Sequence, residues 1–468
     1  MATSALEAVY EYVAYLSPQK RTMRFSFLPA IALAAAGSFL LFSSCAASRH
    51  AERRFAKKIQ KEVEKSPVFS RAFTGFTLLD PETGKTLADV NGDKFFTPAS
   101  NTKILTLATC LEVLGDSVPG IEYQIQNGYL YFRGVADPTF LHAKFQNWQP
   151  AFELLQNAGD TSFFVLRDFF AKRFGSGWAW DDYDYYFQTE RSQMPTYGNT
   201  LTVKAGSNNT FRVYPAYFTD YCYVTNSADT GRAYINRAEF EHSWDVNLNS
   251  ETDSLVSPMP TYSTPFIEDT LHKTVVFKMS SGIPFLNPSW RTLYSTPLDT
   301  VLRRMMHQSD NFIAEQMLLV CAGQKFDILQ QDTMIKWMLD SILTSLPQRP
   351  RWVDGSGLSR YNLITPRDLG QVLLKLWKEQ PQEFLLSLFP AGGMNGTVAN
   401  WYKGKDGKPY VFAKTGSMSG VHCLSGYVVT KRGKTLIFSF MHNNFVDSNK
   451  PWKEEMQRIL ERIASGVY

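Results

Sequence analysis

At 468 residues the chain is long for one core, and an ordinary domain size of about 150 residues implies two or three domains. Hydrophobic residues at 44%, charged at 20% and aromatic at 14% exclude global disorder, because such a chain buries enough apolar surface to offset its conformational entropy. A net charge of +4, from 48 basic and 44 acidic side chains, excludes a mainly electrostatic grip on nucleic acid. Five cysteines, at 45, 110, 222, 321 and 423, form no Cys-x-x-Cys pair and no zinc-finger spacing, so the last four are expected in apolar core.

At the N-terminus, Lys20, Arg21 and Arg24 precede an uncharged stretch from Phe25 to Phe42, followed by Ser43-Ser44-Cys45-Ala46-Ala47. A basic segment, an apolar run and small residues at a cut describe a secretory signal. An uncleaved transmembrane helix is the rival, since the run could just span a bilayer. The cysteine directly after two serines resembles a bacterial lipoprotein box, which implies lipidation of Cys45 and an exported, periplasmic body tethered to a membrane through its N-terminus. Met23 begins a leader of ordinary length, so residues 1–22 are read as an upstream start.

Residues 51–65 read as a charged helix in which Phe55, Ile59 and Val63 form one narrow apolar stripe. The segment AFTGFTLLDPETGKTLADVN predicts a hairpin about Asp80–Gly84. Next come Thr97-Pro98-Ala99-Ser100 and an apolar helix ending at Gly115. From 120 to 285 the chain turns rich in Tyr, Asn, Ser and Thr with aromatic alternation, which predicts an inserted β-rich region of one or two nested domains. Helical patterning returns from Leu298 through 345 and over 365–378. Three alternating strand patterns and a helix from Trp452 to Ala464 end the chain. The boundaries are therefore 1–45 for the leader, 46–119 with 286–468 for one split domain, and 120–285 for the insert.

Ser100-Asn101-Thr102-Lys103 places a hydroxyl and an amine at i and i+3, about one helical turn apart on one face. A serine hydroxyl attacks an amide only with a base beside it, and a lysine is that base only when burial or a neighbouring cation depresses its pKa. Ser-x-x-Lys alone is expected roughly once or twice by chance in such a chain. Ser309-Asp310-Asn311, placed within a helical stretch, and Lys414-Thr415-Gly416, at the end of a strand, are each expected on the order of 0.1 times. Gly416 suits a strand that pairs closely with an incoming peptide backbone.

With these three ordered motifs the chain resembles the active-site serine penicillin-recognising enzymes. The gap between Ser100 and Ser309 is far longer than a compact β-lactamase allows. It resembles that of the type-four low-molecular-mass penicillin-binding proteins, D-alanyl-D-alanine carboxypeptidases and endopeptidases with domains nested after the nucleophile helix. Arg133–Thr139, Trp178–Asp182, Asp354–Arg360 and Gly396-Thr397 agree with that family, while Ala136 replaces its usual glycine.

The resemblance implies an α+β fold, in which a penicillin-recognising serine transpeptidase-like domain, an antiparallel sheet flanked by helices, is split by the β-rich insert. It implies Ser100 as nucleophile, Lys103 as general base, Ser309 as proton carrier, and Asn311 as a ligand of both the substrate amide and Lys103. Lys414 would supply positive potential that keeps Lys103 neutral, Thr415 would bind the terminal carboxylate, and the N–H groups of Ser100 and Ser417 would form the oxyanion hole. Asp182 would meet the free amine of a diamino acid, with Phe187 as an apolar wall. The implied partners are peptidoglycan stem peptides and β-lactam antibiotics, and no cofactor or metal is needed. Gly84-Lys85-Thr86 and Gly433-Lys434-Thr435 lack the first glycine of a phosphate loop and read as turns. The absence of Gly-x-Ser-x-Gly and of His-x-x-x-His disfavours a Ser-His-Asp hydrolase and a zinc peptidase. A tethered β-lactam-sensing or wall-binding protein with little turnover, and a β-lactamase, stand as alternatives.

Overall fold

Apolar alternation at both chain ends is satisfied by one shared sheet. The structure, a computed structural model, describes residues 51–466 apart from 207–209, 227–231, 240, 250, 261–262 and 280–288. The leader with Cys45, and the 285/286 boundary, lie outside the described residues.

Residues 55–64 form helix α1, whose spacing buries Ile59 and Val63. Strands β1 (Phe73–Asp80) and β2 (Lys85–Val90) and helix α2 (Lys103–Val113) follow. The insert comprises β3 (Ser117–Gln126), β4 (Tyr129–Arg133), α3 (Pro150–Asn157), β5 (Thr161–Leu166), β6 (Thr200–Ala205), β7 (Phe211–Tyr214), β8 (Cys222–Asn226), β9 (Tyr234–Arg237), β10 (Trp244–Leu248) and β11 (Ser254–Pro258). Helix α4 (Thr264–Leu271), β12 (Thr274–Met279) and β13 (Arg291–Pro297) close it. The chain returns through α5 (Leu298–His307), α6 (Asn311–Phe326), α7 (Gln331–Trp337), α8 (Pro366–Glu379) and α9 (Gln382–Leu388). It ends with β14 (Val411–Met418), β15 (Val421–Val429), β16 (Thr435–Asn443) and α10 (Lys450–Ala464).

The main sheet has the order β14-β15-β16-β1-β2, with every adjacent pair antiparallel. Cys423, Tyr427, Ile437 and Met441 face a core built with α2, α5, α6 and α8, while Leu424, Val428, Leu436 and Phe438 face α1 and α10. Burial on both faces explains why β15 and β16 read as almost unbroken apolar runs. This is the helix-flanked antiparallel sheet of the expected α+β class. Cys110, Cys222, Cys321 and Cys423 are all buried thiols.

The insert contains a five-stranded sheet, β12-β5-β4-β3-β13, parallel between β4 and β5 and between β5 and β12. Two three-stranded sheets, β8-β10-β9 and β11-β6-β7, lie within the β5-to-β12 stretch and share a core about Phe218, Trp244 and Phe266. Strand β13 pairs with β3 as far as Pro297↔Ser117, so the insert's strands continue beyond the boundary read from composition. Ala136 has φ 67°, the left-handed region that favours glycine. Its N–H donates to Gln193 O at 2.7 Å and its carbonyl accepts from Gln316 Nε2 at 3.1 Å, and these bonds hold the conformation without glycine.

Candidate active site

A 3-10 turn over Ala99–Thr102 leads into α2, so Ser100 stands in the turn and Lys103 is the first α-helical residue. The i, i+3 spacing still brings Lys103 Nζ within 3.1 Å of Ser100 Oγ. Thr102 Oγ1 donates to Ala99 O at 2.9 Å, and Asn101 Nδ2 donates to Ser425 Oγ at 2.7 Å, which fixes the turn against β15. Gly416 is required by this turn. A Cβ at Gly416 would lie 2.4 Å from Pro98 O and 3.0 Å from Ser100 N, so close approach of the Ser100 turn by itself excludes a side chain there.

Lys103 is fully buried and donates to Asn311 Oδ1 at 2.6 Å and to the Ser356 carbonyl at 2.7 Å. Burial pushes its amine from 10.5 down to about 8, against the opposing charges of Asp354, Glu315 and Asp310. The sequence expectation that Lys414 keeps Lys103 neutral needs correction, because desolvation is the first cause. Lys414 is itself buried and held well below its ordinary value, by desolvation first and by the charge of Lys103 second.

Ser309-Asp310-Asn311 lies at a break between helices and not within one. Ser309 has φ 56°, Asp310 is the N-cap of α6 with Oδ1 accepting from Ile313 N at 3.2 Å, and Asn311 opens the helix. The break aims Ser309 Oγ at Lys414 Nζ, 2.8 Å away, while Lys414 also donates to Thr415 O at 2.7 Å. Asn311 Nδ2 donates to Phe187 O at 3.0 Å, so both ends of this amide are engaged by protein groups. Thr415 Oγ1 donates to Thr397 Oγ1 at 2.7 Å, and Ser417 Oγ lies 2.8 Å from His422 Nδ1.

The insert reaches this cleft through residues 175–188. Phe187 contributes its carbonyl to Asn311, and its ring stacks on Tyr185 at 5.4 Å. Asp182 is half-buried on a 3-10 turn, whereas Asp181 is exposed. Burial and the charges of Asp181 and Asp184 raise the Asp182 pKa, and Arg360 lowers it. Cys45 lies outside the described residues.

The Asp354–Arg360 segment, which in sequence only matched the resembled family, forms the floor under Lys103. Asp354 accepts from Gly357 N (2.8 Å), Ser359 N (2.6 Å), Asn362 Nδ2 (2.7 Å) and Trp178 Nε1 (2.9 Å). A Cβ at Gly357, φ 86°, would stand 1.9 Å from Ala99 O. The signal for this role was the pair of glycines: each marks a close approach to an element that carries a catalytic candidate. Glu315, four residues after Asn311, and Arg191 in the insert were also missed.

A serine on a short turn, a buried amine against it and a Lys-Thr-Gly edge strand beside them, on this sheet, define a serine peptidase of the penicillin-recognising class. The fold is that of the crystal structure of penicillin binding protein 4 from Haemophilus influenzae, with a TM-score of 0.66 at 21% identity, covering 87% of this chain and 99% of that one. The chain belongs to the D-Ala-D-Ala carboxypeptidase 3 (S13) family, which matches residues 55–240 and 291–464, and is an enzyme of that serine carboxypeptidase type. It is 25% identical over 457 residues to the D-alanyl-D-alanine carboxypeptidase DacB of Haemophilus influenzae, covering 88% of this chain and 92% of that protein. A D-alanyl-D-alanine carboxypeptidase of Actinomadura sp. strain R39 is 28% identical over 438 residues, covering 81% of this chain and 79% of its own.

Proposed function

We propose that the protein cleaves D-Ala-D-Ala termini, or D-Ala to diamino acid crosslinks, of peptidoglycan through an acyl-enzyme on Ser100. The observation that carries this is the bonding of Lys103. A neutral amine has two N–H groups and one lone pair. Asn311 Oδ1 and Ser356 O can only accept, so they take both hydrogens, and the lone pair is left facing Ser100 Oγ.

Ser100 Oγ attacks the D-Ala carbonyl carbon as its proton passes to Lys103. Ser309, bonded to Lys414, relays that proton from Lys103 to the departing D-alanine nitrogen; water then attacks the ester carbonyl as its own proton passes to Lys103, and Ser100 Oγ regains this proton as the shortened peptide acid leaves. The N–H groups of Ser100 and Ser417 receive the oxyanion, where loss of one donor costs roughly a hundredfold or more. Strand β14 lies at the sheet edge, and its outer side pairs with residues 390–392 up to Ala413, which supports a substrate backbone running along Thr415–Ser417. Lys414 and Thr415 would hold the terminal carboxylate. Incubation with a D-Ala-D-Ala muropeptide and with benzylpenicillin tests the reading: catalytic release of D-alanine with a persistent penicillin adduct is expected. Adducts with no peptide turnover would make it a sensor, and rapid hydrolysis of penicillin a β-lactamase.

Asp182 is proposed to bind the free amine of the diamino acid. Its place on a half-buried turn five residues before Phe187, which touches Asn311, supports this. A charge-assisted bond there is worth roughly 1.5–3 kcal/mol. Asp182→Asn should lower kcat/KM about ten- to a hundredfold for peptides bearing a free amine, yet barely alter acylation by penicillins that lack one. Equal losses on both substrates would make Asp182 structural.

The proposed tether rests on the leader sequence alone. Growth with labelled palmitate should tag the mature protein, and Cys45→Ala should remove the tag while export continues. An unlabelled chain that retains residues 23–44 would favour the transmembrane rival.

A further inference from the structure

We infer that Arg191, supplied by the insert, is a positioning residue for Lys103: acting through Glu315 and Ser356, it holds the amine and sets the charge balance beneath it. This rests on Lys103 being the base of the proposed reaction.

Glu315 lies four residues beyond Asn311 on α6, so both side chains lie along one face of that helix. Its Oε1 accepts from Ser356 N at 2.7 Å, and its Oε2 accepts from Arg191 Nε at 2.9 Å, Arg191 Nη2 at 2.7 Å and Gln331 Nε2 at 2.8 Å. The carbonyl of the same Ser356 accepts from Lys103. One residue of the loop is thus gripped from below by the Arg191–Glu315 pair and grips the base above. Arg191 also packs over the Trp178 ring at 4.8 Å, and Trp178 Nε1 bonds Asp354, so two insert residues brace the same loop.

The charges facing Lys103 are Asp354, Glu315 and Asp310, while Lys414 couples to it from β14. Asp310 is paired with Arg304 at 3.0 Å. Asp354 is held by neutral donors, the backbone amides of Gly357 and Ser359 and the side chains of Asn362 and Trp178. Arg191 is the cation paired with Glu315, at side-chain exposures of 7% and 2%, where water screens little. With its charge removed, Glu315 would favour the protonated amine of Lys103 and so reduce the base form. With the charge of Glu315 removed instead, Arg191 would favour the neutral amine. A brace that acted by packing alone would not give opposite signs.

The test is the pH dependence of acylation by a labelled penicillin on the full chain. Wild-type acylation should rise with pH through about 8. Arg191→Gln should move that limb upward by about one unit, with roughly tenfold slower acylation at neutral pH and recovery at high pH. Glu315→Gln, which keeps an oxygen for Ser356, should move the limb downward, and the Arg191→Gln/Glu315→Gln double variant should return it toward wild type. If Arg191→Gln does not fold, the Glu315→Gln shift and its reversal in the double variant decide the matter. Limbs that stay in place, or single variants that shift in the same direction, would overturn the inference. Failure of wild-type protein to acylate at Ser100 would overturn the functional reading beneath it.

Discussion

Ser100→Ala is expected to abolish covalent labelling by a penicillin and to lower peptide hydrolysis by about 10⁶, because the covalent route is lost with the atom that carries the acyl group. The fold should be indifferent to the change. Lys103 keeps its bonds to Asn311 and Ser356, and the turn is closed by Thr102 and Asn101, not by the Ser100 hydroxyl. Unfolding by heat should therefore follow the wild-type curve while the adduct mass disappears. An undiminished adduct on the alanine variant would remove Ser100 from the mechanism.

Lys103→Met should separate activity from stability. Loss of the general base is expected to lower acylation by about 10²–10⁴. Its effect on stability should be small, because two terms offset each other. The folded amine is held at about 8 against 10.5 for a free one, so below pH 8 its burial costs about 3 kcal/mol, and that cost fades as pH rises through the unfolded value. A methionine of similar length removes that cost but leaves Asn311 Oδ1 and the Ser356 carbonyl without their donor, at about 1–3 kcal/mol for a buried acceptor, so the melting temperature at neutral pH should stay close to that of the wild type. Acylation at the wild-type rate, or a large loss of stability at neutral pH, would contradict the assignment of a buried, depressed amine.

The parts of this protein that were legible in its sequence are those whose physics is local. The β1–β2 hairpin turn at Gly84, the apolar stripe of α1 and the two-faced runs of β15 and β16 follow from residue spacing. The Ser100–Lys103 contact follows from i, i+3 geometry, even though a 3-10 turn replaces the first turn of helix. What could not be read depends on partners far along the chain. Asp354 looks like any turn acid until Trp178 meets it across 176 positions, and Glu315 gains its meaning from Arg191, 124 positions away. Ser309 is equally opaque, since its left-handed backbone is imposed by the junction of α5 and α6 and carries no glycine to announce it. Gly416 signals close backbone approach in the sequence, but not that the Ser100 turn is one of the backbones that closes up there.

Ser100 is proposed to form an acyl-enzyme with a peptide ending in D-Ala-D-Ala. Rapid mixing of the full chain with such a pentapeptide, followed by acid quench, intact mass and measurement of free D-alanine, tests it most directly. Expected are an initial burst of D-alanine no larger than the enzyme concentration, a matching transient mass gain of the pentapeptide less one D-alanine located on Ser100, and then steady turnover. D-alanine released at the steady rate with no acylated species, when ester hydrolysis has been slowed by the choice of peptide, would contradict it, as would an acyl group found on any residue other than Ser100.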